Sequence, residues 1–213
     1  MDCCQCQGIE GRFNQRGAAR SLTTYQRNGP APNTRILLAA LRAAGVEGTT
    51  LLDIGGGIGA IPLDLLSAGA SHATEVEAST AYLDAAREEG ARRRYSDRVT
   101  YQHGNFVDLA PTLLPADIVT LDRVICCYPD LRGLVGASAA KAQRLYGLVY
   151  PRDTWFAHVT ASLLNLFFRL QRDSFRFFIH RTNAVEALLR EAGFERHFQR
   201  NAGFWQVAVY ARA

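Results

Sequence analysis

Apolar and polar positions fall into blocks that switch between a period of two and a period near 3.6. Ile36, Leu37, Leu41 and Ala44 share one helical face, so a helix is expected from a capping Asn33 to about Ala44, with Gly45 stopping it. Thr50–Ile54 is a short apolar run of the kind buried on both faces of a sheet. The same reading predicts helices over about 58–68, 79–94 and 131–142. It places strands ending near Glu77 and over 98–103, 117–121 and 144–149. A long apolar helix begins after Asp153, another helix covers 183–192, and two strands at about 194–200 and 204–211 close the chain. Alternating strands and helices imply an α/β fold with a doubly wound, mostly parallel sheet of seven strands. The last two strands are close enough in sequence to form an antiparallel hairpin.

Residues 1–32 read differently, as a polar, arginine-bearing arm that breaks at Asn28-Gly29-Pro30. One domain is expected over 33–213, with an inserted helical cover at about 151–182. The chain has 213 residues, 48% hydrophobic and 21% charged, which suits one globular domain with appendages. The net charge of +4 is modest, and the one dense basic run, Arg92-Arg93-Arg94, lies at a predicted helix end. No basic stripe with interleaved aromatics accompanies it, so a nucleic-acid partner is not expected. The polar N-terminus lacks a signal-peptide core. The helix after Asp153 falls short of the ~20 apolar residues that a membrane span needs. A cytoplasmic protein without stable membrane insertion is the expectation.

The densest chemistry lies in LLDIGGGIGA, Leu51–Ala60. An apolar run ends in Asp53, and glycines follow at Gly55, Gly57 and Gly59, so a ligand can lie against bare backbone. Glu77, at the end of the second strand, can accept hydrogen bonds from ribose hydroxyls. Asn105 and Phe106, after the third strand, can read and cover an adenine. Asp122 ends the fourth strand. All four elements sit at strand carboxyl ends, where open α/β sheets bind ligands.

With these residues the chain resembles the class I S-adenosylmethionine-dependent methyltransferases, whose motifs match LLDIGGGIG, VEAS, GNF, ADIVTLDRV and EAGF. The resemblance implies a Rossmann-like fold, S-adenosyl-L-methionine as cofactor and a small-molecule substrate. It implies that Gly55, Gly57 and Gly59 approach the methionine part, that Asp53 holds its amino group, that Glu77 binds the ribose, and that Asn105 and Phe106 hold the adenine. Asn105 stands where the family usually has Asp. Within the arm, Arg12, Arg16, Arg20, Tyr25 and Arg27 either bind the cofactor carboxylate or form a solvated face. Arg20 and Tyr25 are singled out for the cofactor.

A narrower resemblance, to magnesium-protoporphyrin O-methyltransferases and their relatives, rests on LDRVICCYPD, LVYPRDTWFAHV and FFIHRTNAVEALLREAGF. It marks Asp122, Tyr128, Pro129, Pro151, Thr154, Trp155 and His180, with Cys127 where that group usually has His. The catalytic candidates are therefore Asp122, Tyr128, His180 and Cys127, and the implied acceptor is a carboxylate on a tetrapyrrole-like or other apolar body. His180 is either a base or ligand or a structural residue at a helix start. The apolar stripe Phe156, Val159, Leu163, Leu164, Phe167 and Phe168 is either a substrate-facing lid or core. The five cysteines form two clusters, Cys3, Cys4 and Cys6, then Cys126 and Cys127. Either the first cluster lies in a disordered arm and Cys126 and Cys127 are small apolar fillers, or the two clusters meet in a thiol-rich site for a thiol, metal or metalloid acceptor. CCxC is not a standard zinc spacing, and no metal is assigned. A binding module without transfer activity is the remaining alternative.

Overall fold

The computed structural model describes the chain from residue 4 onward, with side chains from Gly8. The five parallel strands are β1 (Thr50–Ile54), β2 (His72–Glu77), β3 (Val99–His103), β4 (Ala116–Asp122) and β5 (Ala142–Pro151). β6 (Phe194–Ala202) and β7 (Trp205–Arg212) complete a seven-stranded sheet in the order β3-β2-β1-β4-β5-β7-β6. β7 runs antiparallel to both β5 and β6. This is the mostly parallel, Rossmann-like sheet expected, with its antiparallel hairpin. Strand order reverses between β1 and β4, which opens a crevice at their carboxyl ends.

Helices cover both faces. One layer contains α3 (Pro32–Ala43), α4 (Ala60–Ser67) and α5 (Thr80–Arg92). The other contains α6 (Phe106–Leu109), α7 (Leu131–Ala139) and α9 (Thr182–Glu191). Two apolar clusters result, one around Leu37, Leu41, Ile118 and Val149 and the other around Val119, Tyr146, Leu148 and Leu189. Several element ends differ from expectation. Asn33 is not a cap; Ala31 is, with Pro32 in the first turn, where a missing N–H costs nothing. The seventh helix stops at Ala139, because Lys141 already pairs with β4: its carbonyl accepts the Ala116 N–H at 2.9 Å.

The arm is helical. α1 (Cys4–Arg12) and α2 (Gln15–Asn28) are joined by Asn14, whose side chain caps α2 by accepting from Gly17 N. Ala18, Leu22 and Tyr25 form a helical stripe that packs on Ile58, Leu63 and Ala85, so α2 belongs to the domain body. The alternative in which Cys3, Cys4 and Cys6 meet Cys126 and Cys127 lies outside the described residues.

α8 (Trp155–Leu170) corrects the core reading of the apolar stripe. Only Ala157, Ala161 and Phe168 are buried. Trp155, Phe156, Val159, Leu163, Leu166, Phe167 and Leu170 fall on one arc of about 120° at 100° per residue, and each is between 47% and 78% exposed. Among the described residues, no helix is long and apolar enough to cross a membrane.

Candidate active site

A cavity of about 970 Å3 opens at the crevice between β1 and β4. Its floor is the glycine loop after β1, one wall is Glu77 with Gly104–Phe106, and the opposite wall is the loop after β4. α1 and α2 cover it with Ile9, Arg12, Phe13, Arg20 and Tyr25; Phe175, packed against Phe13, lines it too, as do Phe177 and Trp205. A shallower hollow of about 620 Å3 lies between α3 and β6, remote from the glycine loop.

The loop conformation follows from its composition. Gly55 has φ +65°, and a Cβ there would lie 2.5 Å from Val124 Cγ2. Gly56, which the alternate-glycine pattern passes over, is as tightly placed: its Cβ would lie 2.5 Å from Glu75 Cγ and 2.9 Å from Asp53 Oδ2. Gly59 does not line the cavity. It caps α4 at φ +76°, facing Glu75 and Ala86, so its role is packing.

Beneath the loop lie two carboxyl groups that are partners across β1 and β2, Asp53 and Glu75. Asp53 does not reach the cavity. Its Oδ1 accepts from Thr120 Oγ1 at 2.6 Å, and Oδ2 has no hydrogen-bond partner among the described residues. Burial pushes its carboxyl up to about 8. Glu75 is fully buried with neither oxygen hydrogen-bonded among the described residues, and burial raises it well above the carboxylate range. Sequence reading missed Glu75, although its spacing of two from Glu77 places both acids on one side of β2. Glu77 does reach the cavity. Oε2 accepts the Gly57 N–H at 2.9 Å and Oε1 the Ser79 N–H at 2.8 Å, which fixes the carboxylate at the cavity wall. Burial raises its titration, while these bonds oppose the rise.

Asn105 and Phe106 border the cavity side by side. Asn105 Nδ2 donates to Asp108 Oδ2 at 3.1 Å and lies 3.4 Å from the Tyr128 hydroxyl. Tyr25 borders the cavity on the arm side, with the Arg93 guanidinium 4.8 Å from its ring centroid and its hydroxyl buried without a partner among the described residues. Arg20 also lines it; Arg16 and Arg27 do not. α1 is held down at its C-terminal end. Gly8 lies so close to Phe175 that a Cβ would be 2.6 Å from Phe175 N. Phe13 O accepts from Ser79 Oγ, and the Arg12 guanidinium sits 4.5 Å from the Phe168 ring centroid.

On the opposite wall, Asp122 accepts from Thr34 Oγ1 and from Arg123 Nε, the latter at 2.9 Å. Arg123 takes φ +62°, turning the chain into a short 3-10 segment, Ile125–Cys127. Cys126, Cys127 and Tyr128 all line the cavity. His180 does not, which corrects its placement beside the acceptor. Its Nε2 lies 2.9 Å from Ile125 O and 3.0 Å from Tyr128 O and donates to these carbonyls, while Phe178 N donates to Cys126 O at 2.7 Å. Asn165 of α8 in turn clamps Phe177, donating to its carbonyl at 2.7 Å and accepting from its N–H at 2.8 Å. The α8 side chains expected to touch substrate stay outside the cavity; the segment after the helix supplies Phe175 and Phe177 instead. Thr34, Phe175, Phe177 and Trp205 come from distant parts of the chain, and no local motif marks them.

Residues 52–140 match the model of a family described as a methyltransferase domain. Among solved structures, magnesium protoporphyrin IX methyltransferase (ChlM) from Synechocystis PCC 6803 with bound SAH has a TM-score of 0.73 at 18% identity, covering 96% of this chain and 98% of that one. The same enzyme with bound SAM gives 0.72 at 16% identity, covering 98% and 97%. An O-methyltransferase family protein from Burkholderia thailandensis gives 0.72 at 17% identity, covering 96% of this chain and 63% of that one. At these identities the likeness is one of fold. No curated protein matches the chain.

Proposed function

We propose that the chain is a class I S-adenosylmethionine-dependent methyltransferase, in keeping with the methyltransferase-domain match over residues 52–140, and that it methylates a small, largely apolar acceptor at a carboxylate. One observation carries the reading: the cavity that holds Glu77 and the glycine loop continues without a break to Phe175, Phe177 and Trp205, with Arg35 and Arg123 on its lining. At about 970 Å3 it lies at the upper end of the ~300–1,000 Å3 range of small-molecule sites. An aromatic wall suits a flat acceptor, and two guanidinium groups suit its carboxylate. The likeness to a magnesium-protoporphyrin enzyme makes a tetrapyrrole-like carboxylate the first acceptor to try.

The residues present fit the cofactor. The Gly55–Gly57 backbone is a cradle that side chains would fill, and it takes the methionine part. Glu77, fixed by two N–H groups, takes the ribose hydroxyls. Asn105 and Phe106 take the adenine, while Arg20 and Tyr25 close the arm side. S-adenosylmethionine, when bound, supplies a methyl group activated by its sulfonium. The protein's contribution is to orient the acceptor and exclude water. Asp122 holds Arg123 and Thr34 in place; Tyr128 and Cys127 form the acceptor wall. His180 is a positioning residue that fixes the carbonyls of that wall. A carboxylate acceptor needs no proton removed, so no base is required. Within the arm, α1 acts as a lid, and 151–182 acts as a cover.

Calorimetry with S-adenosylhomocysteine, followed by turnover on porphyrin carboxylates and on apolar acids of decreasing size, tests this reading. Cofactor binding with product formation on a carboxylate is expected. Turnover restricted to amines, phenols or nucleic acid would overturn the acceptor assignment.

A further inference from the structure

We propose that Cys126 and Cys127 form a two-thiol binding site for a trivalent arsenical on the acceptor side of the cavity. Both residues line the cavity, and their Sγ atoms are 3.9 Å apart. Two sulfurs bonded at about 2.3 Å to one pyramidal, trivalent atom with an angle of about 100° stand roughly 3.5 Å apart. A disulfide needs about 2.05 Å. At 3.9 Å the two thiols touch without being bonded, and a small side-chain rotation brings them to the span of one bridging atom.

The surroundings keep the pair in this arrangement. Both Sγ atoms lie near Arg123 O, Cys126 at 3.2 Å and Cys127 at 3.7 Å. Phe178 N holds Cys126 O, and His180 holds the carbonyls of Ile125 and Tyr128 on either side. A site ordered before binding loses little freedom on binding. The donor set selects the ligand. Structural zinc takes four ligands, and among the described residues no three His, Cys, Asp or Glu side chains converge. A trivalent arsenic is complete with two sulfurs and one organic substituent.

The reaction balances from protonated thiols, the form favoured at Cys126, whose titration its neighbour Cys127 and burial push upward. Two As–S bonds form and the As=O bond of an arsine oxide breaks. The two thiol protons leave with that oxygen as one water, and arsenic remains trivalent, so no oxidant or reductant is needed. This site does not depend on the methyl acceptor's being a carboxylate.

Phenylarsine oxide, titrated anaerobically into the full chain and followed by intact mass, tests the site. One phenylarsenic unit is expected to add with loss of one water, and 2,3-dimercaptopropanol but not an equal concentration of a monothiol should remove it. Affinity should fall about 100-fold in Cys127→Ala, the scale on which a second linked contact adds. Cys127 is only half-buried, so this variant carries the test if Cys126→Ser fails to fold. A chain with Cys3, Cys4 and Cys6 all changed to Ser should keep the adduct, and S-adenosylhomocysteine should bind the adduct within several-fold of its normal affinity. Undiminished binding by Cys127→Ala, loss of the adduct in the triple variant, or displacement of the cofactor product would each overturn the assignment.

Discussion

The imidazole Nε2 of His180 lies 3.0 Å from the carbonyl oxygen of Tyr128, and the same atom reaches Ile125 O at 2.9 Å. A histidine from the segment before α9 thus closes the loop after β4 by its backbone. His180→Ala removes this tie, worth about 1–2 kcal/mol for a shared hydrogen bond. Acceptor KM should rise while S-adenosylhomocysteine affinity, read by calorimetry, stays within about twofold. Equal losses of cofactor and acceptor binding would show that the histidine serves only overall stability.

Glu77 presents its carboxylate to the cavity with Gly57 and Ser79 N–H groups behind it. Glu77→Gln replaces an acceptor by a donor at one of these N–H groups and removes the charge that a ribose diol would meet. A charged hydrogen bond contributes about 1.5–3 kcal/mol, so cofactor affinity should drop roughly 10- to 100-fold. Calorimetry with unchanged affinity would remove Glu77 from the cofactor site.

Asp53 gives the ligand-free protein a pH dependence of known sign. Its carboxyl titrates near 8 when folded, because burial disfavours the charge, against 3.8 in the open chain. Between those values the folded state holds a proton that the unfolded state has lost, so this group's contribution to stability falls as pH rises through that window. Asp53→Asn keeps an acceptor for Thr120 and removes the titration. Its melting temperature should exceed that of the natural chain by more at pH 8 than at pH 5. An equal offset at both pH values would mean that Asp53 is not buried as a neutral acid.

Gly56→Ala introduces a Cβ 2.5 Å from Glu75 Cγ. Overpacking of this kind costs about 1–3 kcal/mol. Denaturant titration should show a lower midpoint with an unchanged slope, together with weaker cofactor binding. A neutral result would require that Glu75 moves freely under the loop.

Leu163 and Leu170 stand 63% and 76% exposed on α8. Leu163→Glu and Leu170→Glu should change stability by less than about 0.5 kcal/mol, as surface changes do. A loss of several kcal/mol in chemical denaturation would show that this face is covered in solution.

The sequence by itself determined the α/β alternation, the strand at Thr50–Ile54, the glycine turn and the acid of Glu77. Each is a local signal: side-chain period sets the element, and bare glycine sets the turn. Fold class and cofactor chemistry were legible for that reason. Tertiary structure decided the rest. It placed Asp53 beneath the loop rather than in the cavity, because β1 and β2 pair Asp53 with Glu75 inside the sheet. It turned His180 toward backbone, brought Thr34, Phe177 and Trp205 to one cavity, and left the α8 stripe facing outward. An apolar helical stripe reads the same whether it faces core or solvent. Residues some 170 positions apart, such as Thr34 and Trp205, reach one cavity through packing of the whole sheet, which no local spacing records.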